Sequence, residues 1–227
     1  MLRRWDELPA FMRTPEVRPY WEILDGRRGQ LLLKRVFDLV VGLILLALLA
    51  IPMAVIAILI KVDSEGPVFY RQERVTQYGL HFRIHKFRTM VSNADKIGTA
   101  VTVGNDSRIT RVGSKLRGLR LDELPQVIDV LQGTMSFVGT RPEAVKYVER
   151  YKPEYNATLL MPAGITSEAS IRYKDEGKLL DAADDVDGIY VKRILPEKMK
   201  WNLEYLNRYS LFSDIRICIS TVIAVFR

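Results

Sequence analysis

Apolar positions crowd into one long run. From Leu39 to Ile60 the chain reads LVVGLILLALLAIPMAVIAILI, without a charged residue. As one helix this run would extend about 33 Å, roughly the hydrocarbon thickness of a bilayer. It is apolar on every face, which argues against a helix buried in a soluble core. Pro52 lies inside it and predicts a kink or break. Basic residues flank the run on both sides: Arg27, Arg28, Lys34 and Arg35 before it, Lys61, Arg71 and Arg74 after it. Positive charge marks the cytoplasmic side of a membrane segment. Two basic flanks around one proline therefore predict a re-entrant helix, which turns at Pro52 and returns to the same face. A spanning helix is the competing reading, because a turn at depth needs protein cover.

Beyond Ile60 the pattern changes to period two. GPVFYRQERV and LHFRIHKFRTM are rich in strand-forming residues and are joined by TQYG, a hairpin signal. Val91 to Arg111 reads as loop. Helical signals follow at Ser114–Leu121, at Pro125–Leu131 with Gly133 as terminator, and at Glu143–Tyr155. Gly164 to Asp187 reads as irregular and acidic. The last run, LFSDIRICISTVIAVFR, has apolar positions Leu211, Ile215, Cys218, Val222 and Phe226 on one helical face. It is too short to span. With Arg208, Arg216 and Arg227 it suits either a membrane interface or a core. Met1–Gln30 is polar, with no h-region, so short helices or loops are expected there and a cleavable signal peptide is not.

Composition narrows the chemistry. The 227 residues suffice for one domain. Lys and Arg number 34 against 27 Asp and Glu, a net charge of +7 that suits anionic partners. The basic residues are dispersed, and no nucleic-acid-binding signature is present, so nucleic acid is disfavoured. One cysteine, Cys218, excludes an internal disulfide and fits a reducing compartment. A Cys/His zinc site is excluded, because only two histidines accompany it. His81 and His85 share a strand face but lie about 13 Å apart, too far to chelate one metal. DAADDVDG, Asp181–Gly188, lacks the ligand pattern of a calcium loop. No glycine-rich phosphate loop occurs, so any phosphate must be held by Arg, Lys and a metal.

The tetrapeptide Asp-Glu-Leu-Pro occurs twice, at residues 6–9 and 122–125. Each copy reads locally as an Asp N-cap with a Pro in the first turn. Around the second copy stand Arg117, Arg120 and Arg141, the residue type suited to bidentate phosphate contact. Two adjacent carboxylates among such cations can hold Mg²⁺ and attack phosphorus.

The order of LKRVFDLVVGLILLALLAIP, GPVFYRQERV, FRIHKFRTM, LRLDELPQVIDVL and MSFVGTRPE resembles that of the bacterial sugar transferases, the monotopic phosphoglycosyl transferases. The resemblance runs from about Leu33 to Glu143 and continues more weakly through PAGIT to the C-terminal helix. It implies a re-entrant helix at the cytoplasmic face of a bacterial inner membrane. It also implies transfer of a sugar 1-phosphate from a UDP-sugar to polyprenol phosphate, with release of UMP. By the same resemblance Asp122 is the nucleophile and Glu123, with Asp122, holds Mg²⁺. Lys86, Arg117, Arg141 and Pro142 fall on the substrate-phosphate positions. Lys34, Arg35 and Asp38 fall at the lipid-phosphate interface that opens the membrane helix. The chain departs from the family at Ile51, where Ser usually precedes the membrane Pro. It departs also at Thr134, where Asp is common, at Thr140 in the usual Pro-Arg-Pro, and in GITSEASIRYKDE.

The expected architecture is α/β and mostly helical with a small hairpin. It comprises a polar extension (1–30), a membrane helix (31–61) and a catalytic domain with a C-terminal interfacial helix (62–227). The expected partners are a UDP-sugar, polyprenol phosphate and membrane lipids, with a homo-oligomer left open. A non-catalytic basic membrane module that recruits an anionic partner is the rival from another class.

Overall fold

A computed structural model describes residues 2–94, 106–173 and 185–225. The chain opens with 3-10 turns at Trp5–Glu7 and Ala10–Met12, then helix α1 (Arg18–Asp25). Helix α2 runs from Arg28 to Asp63, and its 36 residues span about 54 Å. Strands β1 (Phe69–Val75) and β2 (His81–Phe87) pair antiparallel about a turn at Gln77–Gly79. Then come α3 (Arg111–Gly118), a 3-10 turn at Leu121–Glu123, α4 (Gln126–Gln132) and β3 (Met135–Val138). Next are α5 (Val145–Val148), a 3-10 segment at Pro153–Leu160, β4 (Ala163–Thr166) and α6 (Glu168–Arg172). The chain closes with α7 (Val186–Ile189), a π-helical stretch at Tyr190–Ile194, α8 (Leu195–Asn207) and α9 (Leu211–Val225). Mostly helical with a small sheet content is what the sequence led us to expect.

The hairpin formed where the alternation predicted it. A second pair was not expected: β3 and β4 pair in parallel, Met135 opposite Ala163. The helix expected over Glu143–Tyr155 is cut to four residues. Lys152 precedes Pro153 and takes an extended conformation (ψ 153°), as the proline ring requires. Asp181–Asp184 lie outside the described residues, and within the remainder of that segment Asp185 caps α7 through Gly188.

Helix α2 continues through Pro52 as one helical element, so the proline does not end it. Both of its ends pack on the same body. Near its start Lys34, Asp38 and Gly42 are buried. A Cβ on Gly42 would stand 2.9 Å from the Leu131 side chain, so the glycine gives that leucine room between α2 and α4. Near its end Ile56 and Ile60 pack on Phe87 and Leu116. Between these contacts the helix is bare: Leu43, Ile44, Leu48, Ile51 and Val55 are exposed. Only 11% of its most apolar window is buried, which excludes the core-helix reading.

Helix α9 turns in a direction the sequence did not indicate. Asp214 and Ile217 face inward, whereas Ile215, Ile219, Val222 and Ile223 face out. The cause is a buried ion pair, Lys34 Nζ to Asp214 Oδ2 at 2.7 Å, which selects the acidic face. Phe226 lies outside the described residues. The N-terminal segment is no loose extension. Leu2, Leu8, Met12 and Leu24 share one core with Leu160, Leu206 and Tyr209.

Candidate active site

Residues 119–143 carry the site. Helix α3 ends at Gly118, and Arg120 then adopts a left-handed conformation, φ 54°. For a side chain with a Cβ this costs roughly 1–2 kcal/mol, and such strain gathers where function needs a fixed geometry. The strained residue leads directly into the 3-10 turn Leu121–Glu123. Asp122 is therefore not an N-cap. Helix α4 starts at Gln126 behind Pro125, with no side-chain cap, so the Asp122 carboxyl is not spent on a helix end.

Glu123 takes the cations. Lys86 Nζ, from β2, donates to its Oε1 at 2.8 Å. Arg141 Nη1 donates to Oε2 at 3.1 Å, and Arg141 Nη2 also donates to Oε1. The second Arg141 contact makes the pair bidentate, the geometry in which Arg outperforms Lys. Arg141 is steadied further by the carbonyl of Ile165 at 3.3 Å. Arg117 donates through Nε to Thr89 Oγ1 at 2.8 Å and lies within electrostatic reach of Asp122. Among the described residues Asp122 makes no ion pair.

The two carboxyls diverge electrically. Burial pushes the Asp122 carboxyl above its ordinary pKa, an effect that Lys86 opposes and neighbouring Glu123 reinforces. Burial also works against ionised Glu123, but Arg141 and Lys86 outweigh it and hold this carboxyl well below the usual range. Burial lowers the Lys86 pKa, against the pull of Glu123. The result is one carboxylate held in its ionised form by two cations, and beside it a buried carboxyl that makes no ion pair among the described residues, with Lys86 and Arg117 acting on it from a distance.

The other Asp-Glu-Leu-Pro copy folds into the same kind of 3-10 turn, Trp5–Glu7. Its Asp6 is not the cap either: Glu7 accepts the Arg4 backbone N–H at 3.1 Å. The turn type does not separate the copies; the residue before it does, extended at Arg4 and left-handed at Arg120, and so do the surroundings. Side chains Asp6 and Glu7 are 70% and 49% exposed, whereas Glu123 is 15% exposed.

Among the described residues no group of three His, Cys, Asp or Glu could enclose a metal. That donor set still fits Mg²⁺, which commonly uses one or two carboxylates together with substrate phosphates and water. Such a site would draw its carboxylates from Asp122 and Glu123, the latter shared with Lys86 and Arg141.

Structure thus assembles Lys86, Asp122, Glu123 and Arg141 in one place, with Arg117 beside them and Pro142 buried next to Arg141. Lys34, Arg35 and Asp38 are engaged elsewhere. Lys34 is spent on Asp214. Arg35 donates to the carbonyls of Val130 and Leu131 at 2.7 and 3.0 Å, at the C-terminal end of α4. Asp38 accepts the Phe137 N–H at 3.2 Å. These contacts hold α2 against the body. Sequence reasoning missed Glu143, which is buried and accepts from Tyr190 Oη at 2.6 Å and Lys198 Nζ at 3.2 Å. It anchors the strand-end beside Arg141, and nothing local in the sequence sets it apart.

Residues 29–227 match the family model described as bacterial sugar transferase. The chain is 37% identical over 200 residues to the UDP-glucose:undecaprenyl-phosphate glucose-1-phosphate transferase of Escherichia coli (strain K12), covering 86% of this chain and 40% of that protein. It is 35% identical over 193 residues to the UDP-N-acetylgalactosamine-undecaprenyl-phosphate N-acetylgalactosaminephosphotransferase of Aeromonas hydrophila, covering 84% and 43%. It is 37% identical over 201 residues to the exopolysaccharide production protein PSS of Rhizobium leguminosarum bv. phaseoli, covering 86% and 95%. The chain therefore spans about two fifths of the first two relatives and nearly all of the third. With the family model matched over most of its length, the chain belongs to the bacterial sugar transferase family.

Proposed function

We propose that this protein transfers a sugar 1-phosphate from a UDP-sugar to polyprenol phosphate, through a covalent intermediate on Asp122. The observation that carries this reading is the pairing of Asp122, left out of every ion pair among the described residues, with a Glu123–Lys86–Arg141 cluster beside it. In the first step an Asp122 carboxylate oxygen attacks the phosphorus that bears the sugar. The bond from that phosphorus to the bridging oxygen breaks, and its electron pair leaves with UMP. In the second step the polyprenyl phosphate oxygen attacks the same phosphorus and releases the Asp122 carboxylate. Splitting the transfer lets the two substrates visit in turn. Lys86, Arg117 and Arg141 hold phosphate oxygens. Mg²⁺, held by Asp122 and Glu123, would supply neutralisation of the diphosphate charge.

The membrane reading rests on α2. Its two ends pack on one body, Lys34 with Asp214 and Ile60 with Phe87 and Leu116. Were α2 to cross a bilayer, the body that both ends touch would have to stand on both faces of it. Both flanks therefore belong on one side, the cytoplasmic one by their positive charge. The exposed apolar residues of α2 and α9, Leu48, Ile51, Phe212 and Val222 among them, face the lipid. The product would begin a lipid-linked glycan.

The test is incubation with a panel of UDP-sugars, followed by intact mass measurement and assay of UMP. A sugar-phosphate adduct on the wild type, absent from Asp122→Asn, is expected. UMP release by Asp122→Asn at the wild-type rate would refute the covalent role.

A further inference from the structure

We propose that Asp129 and His85 form a positioning brace that holds Lys86 opposite Glu123. This inference rests on the reaction proposed above. Asp129 lies in α4, six residues beyond Glu123, and is 1% exposed. Its carboxylate grips β2 twice. Oδ2 accepts the backbone N–H of His85 at 2.8 Å, and Oδ1 lies 2.7 Å from His85 Nδ1. Among the described residues the sheet β1–β2 has two strands, which leaves one edge of β2 without a neighbouring strand. The carboxylate occupies a rung that a third strand would otherwise fill. The His85 ring is fixed in turn by Phe69, edge-on at 6.3 Å, and Phe69 stacks on Phe87 at 5.5 Å.

The next residue along β2 is Lys86. Successive side chains of a strand point to opposite faces. His85 is therefore held on one face while Lys86 reaches Glu123 on the other, at 2.8 Å. One short stretch of chain, residues 123 to 129, thus meets β2 at two neighbouring residues. The first contact belongs to the chemistry. The second sets the distance between the strand that carries the lysine and the turn that carries the dyad. A buried pair with both bonds made is rigid enough for that task, since an unmet partner in such a place costs free energy. Displacement of a phosphate-holding group by about 1 Å can cost up to about a hundredfold in rate.

The experiment is a double-mutant cycle between Asp129→Leu and Lys86→Met, with Asp129→Asn as the conservative variant. Two quantities are read on purified, folded protein: turnover of a UDP-sugar with polyprenyl phosphate, and equilibrium binding of UDP. Asp129→Asn retains an acceptor for the His85 N–H and is expected within about threefold of wild type, whereas Asp129→Leu is expected to lose about tenfold or more. On the Lys86→Met background Asp129→Leu should cost little more, because the brace acts through the missing lysine. Effects that add in both readouts would overturn the brace and leave His85–Asp129 a merely structural pair. So would unchanged function in Asp129→Leu. A wild type that binds UDP but turns over no UDP-sugar would overturn the proposed reaction, and the cycle would still be decided by binding. A wild type that does neither would overturn both, since Lys86 would then have no phosphate to hold.

Discussion

Glu123 bridges the two cations that the proposed reaction assigns to phosphate, and Glu123→Gln exposes the consequence. The side chain keeps its shape and loses its charge. Lys86 and Arg141 then stand together without their carboxylate, having been 2.8 and 3.1 Å from it. Removing one member of a fully buried ion pair costs about 3–5 kcal/mol. Here the side chains are 19%, 29% and 15% exposed, so screening reduces the loss to about 2 kcal/mol. For a chain of this size that is a fall in Tm of about 4–8 °C. The whole contribution is present at neutral pH. A depressed carboxyl pKa gives stability above the unfolded value, lost only as pH falls through the folded one. The freed cations should take an anion more readily, because UDP no longer displaces a carboxylate. If about 1.4 kcal/mol of the released interaction goes to UDP, affinity rises tenfold. The assay is titration calorimetry with UDP in the presence of a chelator, beside thermal unfolding with and without UDP. Turnover should fall. UDP binding equal to or weaker than that of the wild type, without divalent cation, would refute this account.

Three further outcomes follow from the same geometry. Asp122→Asn should abolish turnover yet raise the thermal midpoint at neutral pH. Burial raises the Asp122 pKa, so its ionisation erodes stability as pH rises, and the gain should vanish below the ordinary carboxylate pKa of about 4; an equal or lower midpoint at neutral pH would count against it. Arg141→Lys cannot reproduce the fork on Glu123, and kcat/KM should drop about tenfold or more, at least about 1.4 kcal/mol; kinetics like those of the wild type would mark Arg141 as a scaffold residue. Cysteines at exposed Gly29 and Glu65, beyond the two ends of the apolar stretch on a Cys218→Ser background, should both resist an impermeant thiol reagent applied to intact cells. Labelling of one site alone would establish a spanning helix.

The hairpin was legible because its alternation is strict and its turn is short, and both are local properties. The candidate site residues came from the order of motifs, and the structure brings Lys86, Asp122, Glu123 and Arg141 together. Spacing alone would have left Asp122 a helix cap, which the left-handed Arg120 and the 3-10 turn rule out. Parallel pairing of β3 with β4 was not legible, since each strand has four residues and no alternation to mark it. Leu2, Leu8 and Met12 lie in a mixed, partly charged segment and show no period, so nothing revealed that they enter the main core. The direction of α9 was hidden for another reason. Its apolar residues outnumber its single acid, yet the acid sets its orientation because a buried lysine needs a counter-charge.

That lysine has a consequence for how the protein is made. Lys34 and Asp214 stand 180 residues apart in the chain. The apolar helix is translated early and is ready for the bilayer long before its acidic partner exists. At about 5–20 residues per second the wait is on the order of ten seconds or more. Throughout it, the ammonium of Lys34 must stay in water or among lipid headgroups, which keeps the start of the helix at the surface while the rest settles. Only the synthesis of α9 supplies the counter-charge that releases it from that position. A chain stopped before Asp214 would leave the start of α2 without this partner, so synthesis of α9 acts as the latch that joins that helix to the body.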